Sequence, residues 1–336
     1  MKKSFWSGKN GPMLIAEIGG NHEGNFKYAK KLVKLAIKSG VDVVKLQIYK
    51  GDELVSFYES KKRNKHFKKF ELSKDQHIHL ANICRKQKVI YAASVWDDDS
   101  IKWIDKYLKF YKIGSGDLTS FPIIESIIKR KKPIILSTGL STLKEIKETI
   151  NFIQLKNKSY KSSEMLSLLQ CTSSYPTLDT EVNLNVIKTL KEKTNLTVGY
   201  SHHNKGSLAL LAAYAIGAEI LEFHFTDDRK GKKFRDHKIS LNYEETKNLI
   251  IDIKKIGKLF GNFDKKPTKS EISSGHVTSF RRAVYSTKFL KSGDRLSNNF
   301  LVCLRPNFGL DPRNLKKKLG KKIKKDTLPF QRILLK

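Results

Sequence analysis

Little in this chain could staple it, anchor it or carry it through a bilayer. Its 336 residues hold only three cysteines, Cys84, Cys171 and Cys303, far apart and without CxxC spacing. An odd, scattered set excludes a disulfide framework and a thiolate zinc site. It reads instead as reduced thiols in a cytoplasmic protein. No apolar run approaches the ~20 residues that span a bilayer, so no membrane partner is expected. The opening MKKSFWSGKNGP has two lysines but no apolar stretch behind them, unlike a secretory signal. Acid is scarce too: 33 Asp and Glu face 66 Lys and Arg, a net charge of +33. Such an excess would suit nucleic acid. The lysines, however, are spread through nearly every helical segment, with no basic tail and no RNA-binding signature. Arginine, the better reader of bases and phosphates, is far outnumbered. No specific nucleic-acid partner is expected, only weak, salt-sensitive attraction to polyanions.

What the chain does have is eight short apolar runs, each ending in polar residues. MLIAEIG (13–19) carries Glu17, VDVVKLQ (41–47) Lys45 and Gln47, and VIYAASVWD (89–97) Ser94 and Asp97. YKIGS (111–115) carries Lys112 and Ser115, PIILSTG (133–139) Ser137, and MLSLLQCTSSY (165–175) reaches Tyr175. LTVGYSHH (196–203) ends in Ser201 and His203, and ILEFHF (220–225) holds Glu222 and His224. Between them lie helical stripes such as FKYAKKLVKLAIKSG (26–40), with Gly40 placed as a C-cap. Eight strand–helix alternations over about 250 residues match a (β/α)8 TIM barrel, whose chemistry sits at the carboxyl ends of the strands. A doubly wound open sheet would gather its site at one switch point and would not need polar residues on all eight strands.

From Gly261 the texture changes. GNFDKKPTKSEISSG is polar and turn-rich, which places a linker over 261–276 after a barrel domain over 1–260. The remainder, 277–336, has brief β-like runs such as RAVYST and FLVCLRP. A β-rich module of ~60 residues is marginal by itself and is expected to dock on another surface.

Side chains alternate along a strand, so Lys45 with Gln47, Ser201 with His203, and Glu222 with His224 share faces. Two histidines on adjacent strands at one depth could share a divalent metal, with water or substrate completing the shell. Lacking a third protein ligand, they suit a labile Mn²⁺ or Mg²⁺ better than structural zinc. They could equally be barrel histidines that only hydrogen-bond. Lys45 and Lys112 would be costly in a barrel mouth unless paired. An anionic substrate would supply the partner, with Ser115, Ser137 and Ser201 completing a cradle. A Schiff-base aldolase lysine and a lysine snorkelling to solvent are the competing readings. Glu17 and Glu222 are the candidate catalytic carboxylates. Asp236, in FRDHKISL beyond the eighth run, is a candidate sugar contact on a loop over the mouth.

At these residues the chain resembles the N-acetylneuraminate (sialic acid) synthase family. The matching stretches are AEIGGNHEGN (16–25), VKLQIY (44–49), YKIGSGDLTSFPIIE (111–125), ILSTGLSTLKEI (135–146), CTSSYPT (171–177), VGYSHH (198–203), EFHFTDDR (222–229) and DHKISL (236–241). The tail is similar to that family's antifreeze-like (SAF) domain, best over 304–322. The resemblance implies condensation of phosphoenolpyruvate with an N-acetylated aldose, N-acetylmannosamine first, to a nine-carbon 2-keto sugar acid with release of phosphate. It implies that His203 and His224 hold the metal, Mn²⁺ ahead of Mg²⁺. Lys45, Lys112, Ser115, Ser137 and Ser201 would clamp carboxylate and phosphate, while Glu17, Gln47, Tyr175 and Asp236 face sugar or water. Arg305 matches an arginine that the family sends from one subunit into its partner's barrel, which implies a domain-exchanged homodimer.

Four departures bear on the sugar. His202 stands where the family has Asp, and Val95-Trp96-Asp97 where it often has Pro-Phe-Asp. Arg305-Pro306-Asn307 replaces Arg-Pro-Gly, and Ser173 occupies a position that can be Asn. Legionaminic or pseudaminic acid synthesis from a related deoxy or diacetamido sugar is the alternative. A polyanion- or carbohydrate-binding barrel without catalysis is the alternative of another class.

Overall fold

The reason the eight runs alternate in polarity shows once they are seen as a wall with two faces. A computed structural model describes residues 4–336; the lysines of the opening MKK lie outside the described residues. The strands are β1 (Ser7–Gly8), β2 (Gly11–Glu17), β3 (Val43–Ile48), β4 (Ile90–Val95), β5 (Tyr111–Ile113), β6 (Ile134–Ser137), β7 (Leu166–Cys171), β8 (Thr197–His202) and β9 (Ile220–His224). β2 to β9 pair in parallel in chain order, and β2 also pairs with β9, which closes an eight-stranded barrel. Helices cover it: α1 (Phe26–Ser39), α2 (Gly51–Leu54), α3 (Lys61–Phe70), α4 (Lys74–Lys86), α5 (Asp98–Ile104), α6 (Phe121–Ile128), α7 (Leu143–Lys156), α8 (Val186–Thr194), α9 (Leu208–Ala215) and α10 (Tyr243–Leu259). This is a TIM barrel, not an open sheet.

Strand residues of one parity face the helices. Leu14, Ala16, Val44, Leu46, Tyr91, Ala93, Leu136, Leu168, Leu221 and Phe223 pack there with the helix stripes in one core. Residues of the other parity face the barrel axis. At the amino end these are Met13, Ile15, Val43, Ala92, Ile135, Leu169 and Ile220, sealed by Trp6 and Phe110. The Trp6 indole N–H donates to Ser163 O at 2.7 Å, so the β1–β2 hairpin plugs the floor without stranding a donor. Two residues further along each strand, the same inward parity brings Glu17, Lys45, Ser94, Lys112, Ser137, Cys171, Ser201 and Glu222 into the mouth.

Local signals explain the helix ends. Gly40 caps α1 at φ 97°, its N–H reaching Ile37 O. Capping boxes start α4 (Ser73 and Gln76), α7 (Thr142 and Glu145) and α10 (Asn242 and Glu245). Asp97, read with Ser94 as a strand-end polar group, caps α5 instead, accepting the Ser100 N–H at 2.7 Å.

The chain divides into two compact units, Met1–Gly261 and Asn262–Lys336. The second holds helices α11 (Lys269–Ser273), α12 (His276–Ser279) and α13 (Leu315–Lys318) and strands β10 (Ala283–Ser286) and β11 (Leu301–Leu304). β10 and β11 pair antiparallel over a small core of Val284, Leu296, Leu310, Ile323 and Ile333. The stretch 261–276, expected as a linker, contains α11; its polar composition hides a capping box between Thr268 and Glu271. Among the described residues no helix is long and apolar enough to cross a membrane.

Candidate active site

Strand register builds the mouth of the barrel. Glu17 lies level with Lys45 on one side and His224 on the other. Ser201 lies level with Glu222, and Ser94 links Gln47 to Lys112. The side chains converge on a cavity of about 1020 Å³. Twelve of the residues singled out from sequence line it: Glu17, Lys45, Gln47, Lys112, Ser115, Ser137, Tyr175, Ser201, His203, Glu222, His224 and Asp236. Arg305 belongs to the second unit, where it is exposed with its guanidinium 5.7 Å from the Phe280 ring centroid.

Two lysines and two glutamates form the buried centre. Lys45 Nζ sits 2.7 Å from Glu17 Oε2 and 4.0 Å from Glu222 Oε2, and Lys112 Nζ sits 3.2 Å from Glu222 Oε1. Ser201 Oγ donates to Glu222 Oε1 at 3.1 Å, and Gln47 Nε2 donates to Glu17 Oε1 at 2.9 Å. Burial raises the Glu222 carboxyl, but Lys112 and then Lys45 outweigh it and hold it at about 2. At Glu17 burial prevails over Lys45, with Glu222 adding to the rise, so this carboxyl stands above the usual range. Burial opposes the Lys45 charge, yet Glu17 and Glu222 overcome it and its pKa is raised.

These contacts correct one step of the sequence argument. The lysines do not wait for a substrate to neutralise them; the protein supplies a carboxylate to each. They also weigh against a Schiff-base role for Lys45, because such a lysine needs a lowered pKa. Anion binding then rests on spare donors. Each ammonium has three N–H groups, and Lys112 has one carboxylate partner. Ser137 Oγ is buried with no hydrogen-bond partner in the protein. Beside it the Gly139 N–H donates to Ser115 Oγ at 3.1 Å. A Cβ on Gly139 would lie 2.5 Å from Ser173 Oγ and 2.8 Å from Ser115 Oγ, so only glycine lets the backbone meet both hydroxyls.

The histidine pair lies alongside, with ring centroids 5.5 Å apart. The His203 Nδ1–H faces Thr172 O at 2.8 Å, and a carbonyl can only accept, so in the neutral ring it is Nε2 that carries the lone pair. His224 is held neutral, burial and the His203 charge pushing its pKa well down. Its Nδ1 is buried without a partner; the nearest carboxylate, Asp236 Oδ2, is 3.8 Å away. Burial lowers the His203 pKa, but Cys171 and the Thr172 carbonyl outweigh it and hold it above the usual value, so His203 must shed a proton before the two imidazoles can hold a divalent ion. No group of three or more His, Cys, Asp or Glu side chains among the described residues is arranged to hold one. The donor set therefore suits an ion that takes further ligands from substrate or water, not structural zinc.

Tyr175 packs on both histidines, its ring centroid 4.1 Å from His203 and 5.9 Å from His224. The Arg235 guanidinium lies 4.0 Å over the Tyr175 ring and donates to Asp236 Oδ1 at 2.8 Å. His202 faces away from the cavity. Its Nε2 meets Gly206 O at 2.8 Å, so strand alternation keeps it from disturbing His203.

Sequence reasoning missed one side of the mouth. Helix α3, in the lysine-rich KKRNKHFKKF, brings His66, Phe67 and Phe70 to the cavity, and Phe234 and Arg235 arrive from the loop after β9. The available signal was the pair of phenylalanines inside a lysine run.

A family model described as the NeuB family matches residues 32–265. The N,N'-diacetyllegionaminic acid synthase of Campylobacter jejuni is 36% identical over 323 residues, covering 92% of this chain and 95% of its own. The pseudaminic acid synthase of the same species is 30% identical over 330 residues, with coverages of 93% and 92%. Among solved structures, the N-acetylneuraminic acid (sialic acid) synthetase of Leptospira borgpetersenii superposes with a TM-score of 0.73 at 30% identity. That match covers 80% of this chain and 92% of that one.

Proposed function

The chain belongs to the NeuB family of sugar-acid synthases, and from that premise we propose that it condenses phosphoenolpyruvate with an N-acetylated aldose. The product is a nine-carbon 2-keto sugar acid, and phosphate is released. One observation supports this most directly. Ser137 Oγ, Glu222 Oε2 and His224 Nδ1 are buried polar atoms without hydrogen-bond partners, and all three residues line one cavity. Each such atom costs about 1–3 kcal/mol unless a ligand satisfies it.

Phosphoenolpyruvate is assigned to the half of the mouth with Lys112, Ser115, Ser137 and Ser201, where spare N–H and O–H donors face an acceptor-rich anion. Glu222, ionised, helps keep Lys45 charged and orients Lys112. The aldose lies over Glu17, Gln47, Tyr175 and Asp236. A divalent cation, Mn²⁺ ahead of Mg²⁺, would be held by His203 and His224 and would supply Lewis-acid polarisation of the aldehyde. C3 of phosphoenolpyruvate forms a bond to the aldehyde carbon, water adds at C2, and phosphate leaves by C–O cleavage. Glu17, the carboxyl with raised pKa, can hold or deliver a proton at the sugar oxygen. The second unit is assigned as the antifreeze-like domain. Its Arg305 would reach the mouth of a second copy in a domain-exchanged homodimer, and the enzyme would work in the cytoplasm.

The test is phosphate release from phosphoenolpyruvate with N-acetylmannosamine and related aldoses plus Mn²⁺. Release should need both aldose and metal, stop with EDTA and vanish in His203→Ala. Metal-independent turnover, or borohydride trapping of a lysine adduct, would sink this mechanism.

A further inference from the structure

Most site residues sit on strands and are aimed by register, but Tyr175 and Asp236 arrive on loops. Tyr175 follows β7, and Asp236 belongs to a short 3-10 turn, Arg235–Ile239, beyond β9. Both close on the histidine pair. The Tyr175 ring centroid lies 4.1 Å from that of His203, and Asp236 Oδ2 lies 3.8 Å from His224 Nδ1. Arg235 touches both loop groups at once. Its guanidinium carbon is 4.0 Å from the Tyr175 ring centroid, and its Nε–H donates to Asp236 Oδ1 at 2.8 Å. The backbone of the turn does not depend on that side chain. Ser240 Oγ donates to Asp236 O at 2.7 Å, and Asn21 Nδ2 donates to Ser240 Oγ at 2.8 Å. The Arg235 side chain is itself 58% exposed, where an ion pair contributes little to folding.

We propose that Arg235 is a positioning residue for the condensation. The face of its guanidinium fixes the Tyr175 ring, and its Nε–H edge fixes the Asp236 carboxylate, so one side chain sets both loop groups around the histidine pair. The inference rests on the synthase reading and adds to it a residue that strand parity did not single out. A planar cation with donors along its edge can do both tasks; an ammonium has no flat face to lay on a ring. Without the guanidinium, the Tyr175 ring keeps only the imidazoles against it, and the Asp236 carboxylate loses its Nε–H donor. The chemical step then suffers more than capture of phosphoenolpyruvate, which is assigned to the half of the mouth with Lys112, Ser115, Ser137 and Ser201.

The experiment follows phosphate release from phosphoenolpyruvate with Mn²⁺ and N-acetylmannosamine, or a diacetamido analogue if that turns over faster. It compares the full chain with Arg235→Ala, Arg235→Lys, Tyr175→Ala and the Arg235→Ala/Tyr175→Ala double variant. Arg235→Ala should keep the parent's melting temperature and its KM for phosphoenolpyruvate. Its kcat should fall about 10- to 100-fold, the effect of a slight misplacement of reacting groups. Arg235→Lys should recover little of that loss. In the Tyr175→Ala background, removing Arg235 should lower kcat by a clearly smaller factor, because the two side chains act as a unit. An unchanged kcat overturns the inference. So does a raised KM for phosphoenolpyruvate at constant kcat, which would make Arg235 a capture residue. Full rescue by lysine, additive losses in the double variant, or a kcat loss that comes with a lower melting temperature also overturn it. Each of these leaves the synthase reading standing. Silence of the parent with both aldoses, from folded metal-loaded protein, overturns both.

Discussion

Buried polar groups occur on both faces of the barrel wall, and the two faces treat them differently. On the outer face, under the helices, two buried imidazoles are neutral and paired. His77 Nδ1 lies 2.9 Å from the Tyr91 hydroxyl, and His202 Nε2 lies 2.8 Å from Gly206 O. Burial holds these two imidazoles uncharged, with pKa values of about 3 and about 4. On the inner face, at the mouth, buried groups are ionised and incompletely paired. Lys45 and Glu222 keep their charges through one another, Lys112 pairs with Glu222, and Ser137 Oγ and His224 Nδ1 have no partner. The same strands carry both patterns one residue apart. Outside, His77 and His202 are satisfied within the fold; inside, Ser137 and His224 are not.

The largest way to break this contrast is to remove the carboxylate that two lysines share. Glu222→Ala would leave Lys112 buried without an anion and Lys45 with Glu17 alone. Breaking a buried ion pair from one side costs about 3–5 kcal/mol. Urea midpoints should fall accordingly and turnover should disappear. Glu222→Gln preserves shape and should separate the two effects, recovering part of the stability and little of the activity. If Glu222→Ala melts like the parent, the cluster is wet and weakly coupled, and the contrast between faces is wrong.

An outer-face histidine sharpens the comparison through pH. His77 has a folded pKa of about 3, lowered by burial and then by the His22 charge, against 6.5 in the unfolded chain. Above pH 6.5 both states are neutral and pH has no leverage. Below it the unfolded chain takes a proton that the folded chain refuses. Stability should therefore fall as pH drops, by about 3 kcal/mol between pH 6.5 and 4 from this residue. His77→Gln, which can still meet Tyr91, should flatten that slope in thermal melts. An unchanged slope would mean that His77 is protonated inside the fold.

How much of this was legible in the sequence follows from which face a residue uses. The barrel was legible because alternating polarity at strand ends is a local signal; the strand residues of the site followed from parity, while Tyr175 and Asp236, on loops, needed the family resemblance. Helix α3 was not legible, because its position is fixed by tertiary contacts. Asn64 Nδ2 donates to Gly51 O and Val55 O, and Phe70 packs under Phe234. The two phenylalanines of KKRNKHFKKF signal burial but not where the helix docks. Asp97 misled because a strand-end carboxylate and a helix cap look alike until the next helix is placed. The lysine partners were hidden for a related reason: pairing across β2, β3 and β9 depends on register, and register is not written in any one run.

The smallest expected effect makes the finest distinction. Ser137 Oγ is buried and unpartnered, so it contributes no hydrogen bond that its removal could cost. Ser137→Ala should leave stability within about 1 kcal/mol of the parent, because the buried hydroxyl it removes is unsatisfied. The ligand should feel the change instead. Losing one donor to an anionic substrate should raise the KM for phosphoenolpyruvate about tenfold, since hydrogen bonds to charged groups contribute roughly 1.5–3 kcal/mol. A paired outer-face group must behave in the opposite way. Tyr91→Phe, which strips His77 of its hydroxyl partner, should lower the melting temperature and leave that KM alone. Two substitutions of one oxygen each, on neighbouring faces of the same wall, then separate what holds the barrel from what waits for substrate. If Ser137→Ala destabilises while KM stays fixed, Ser137 belongs with the fold, and the anion cradle must be sought among Lys112, Ser115 and the Gly139 N–H.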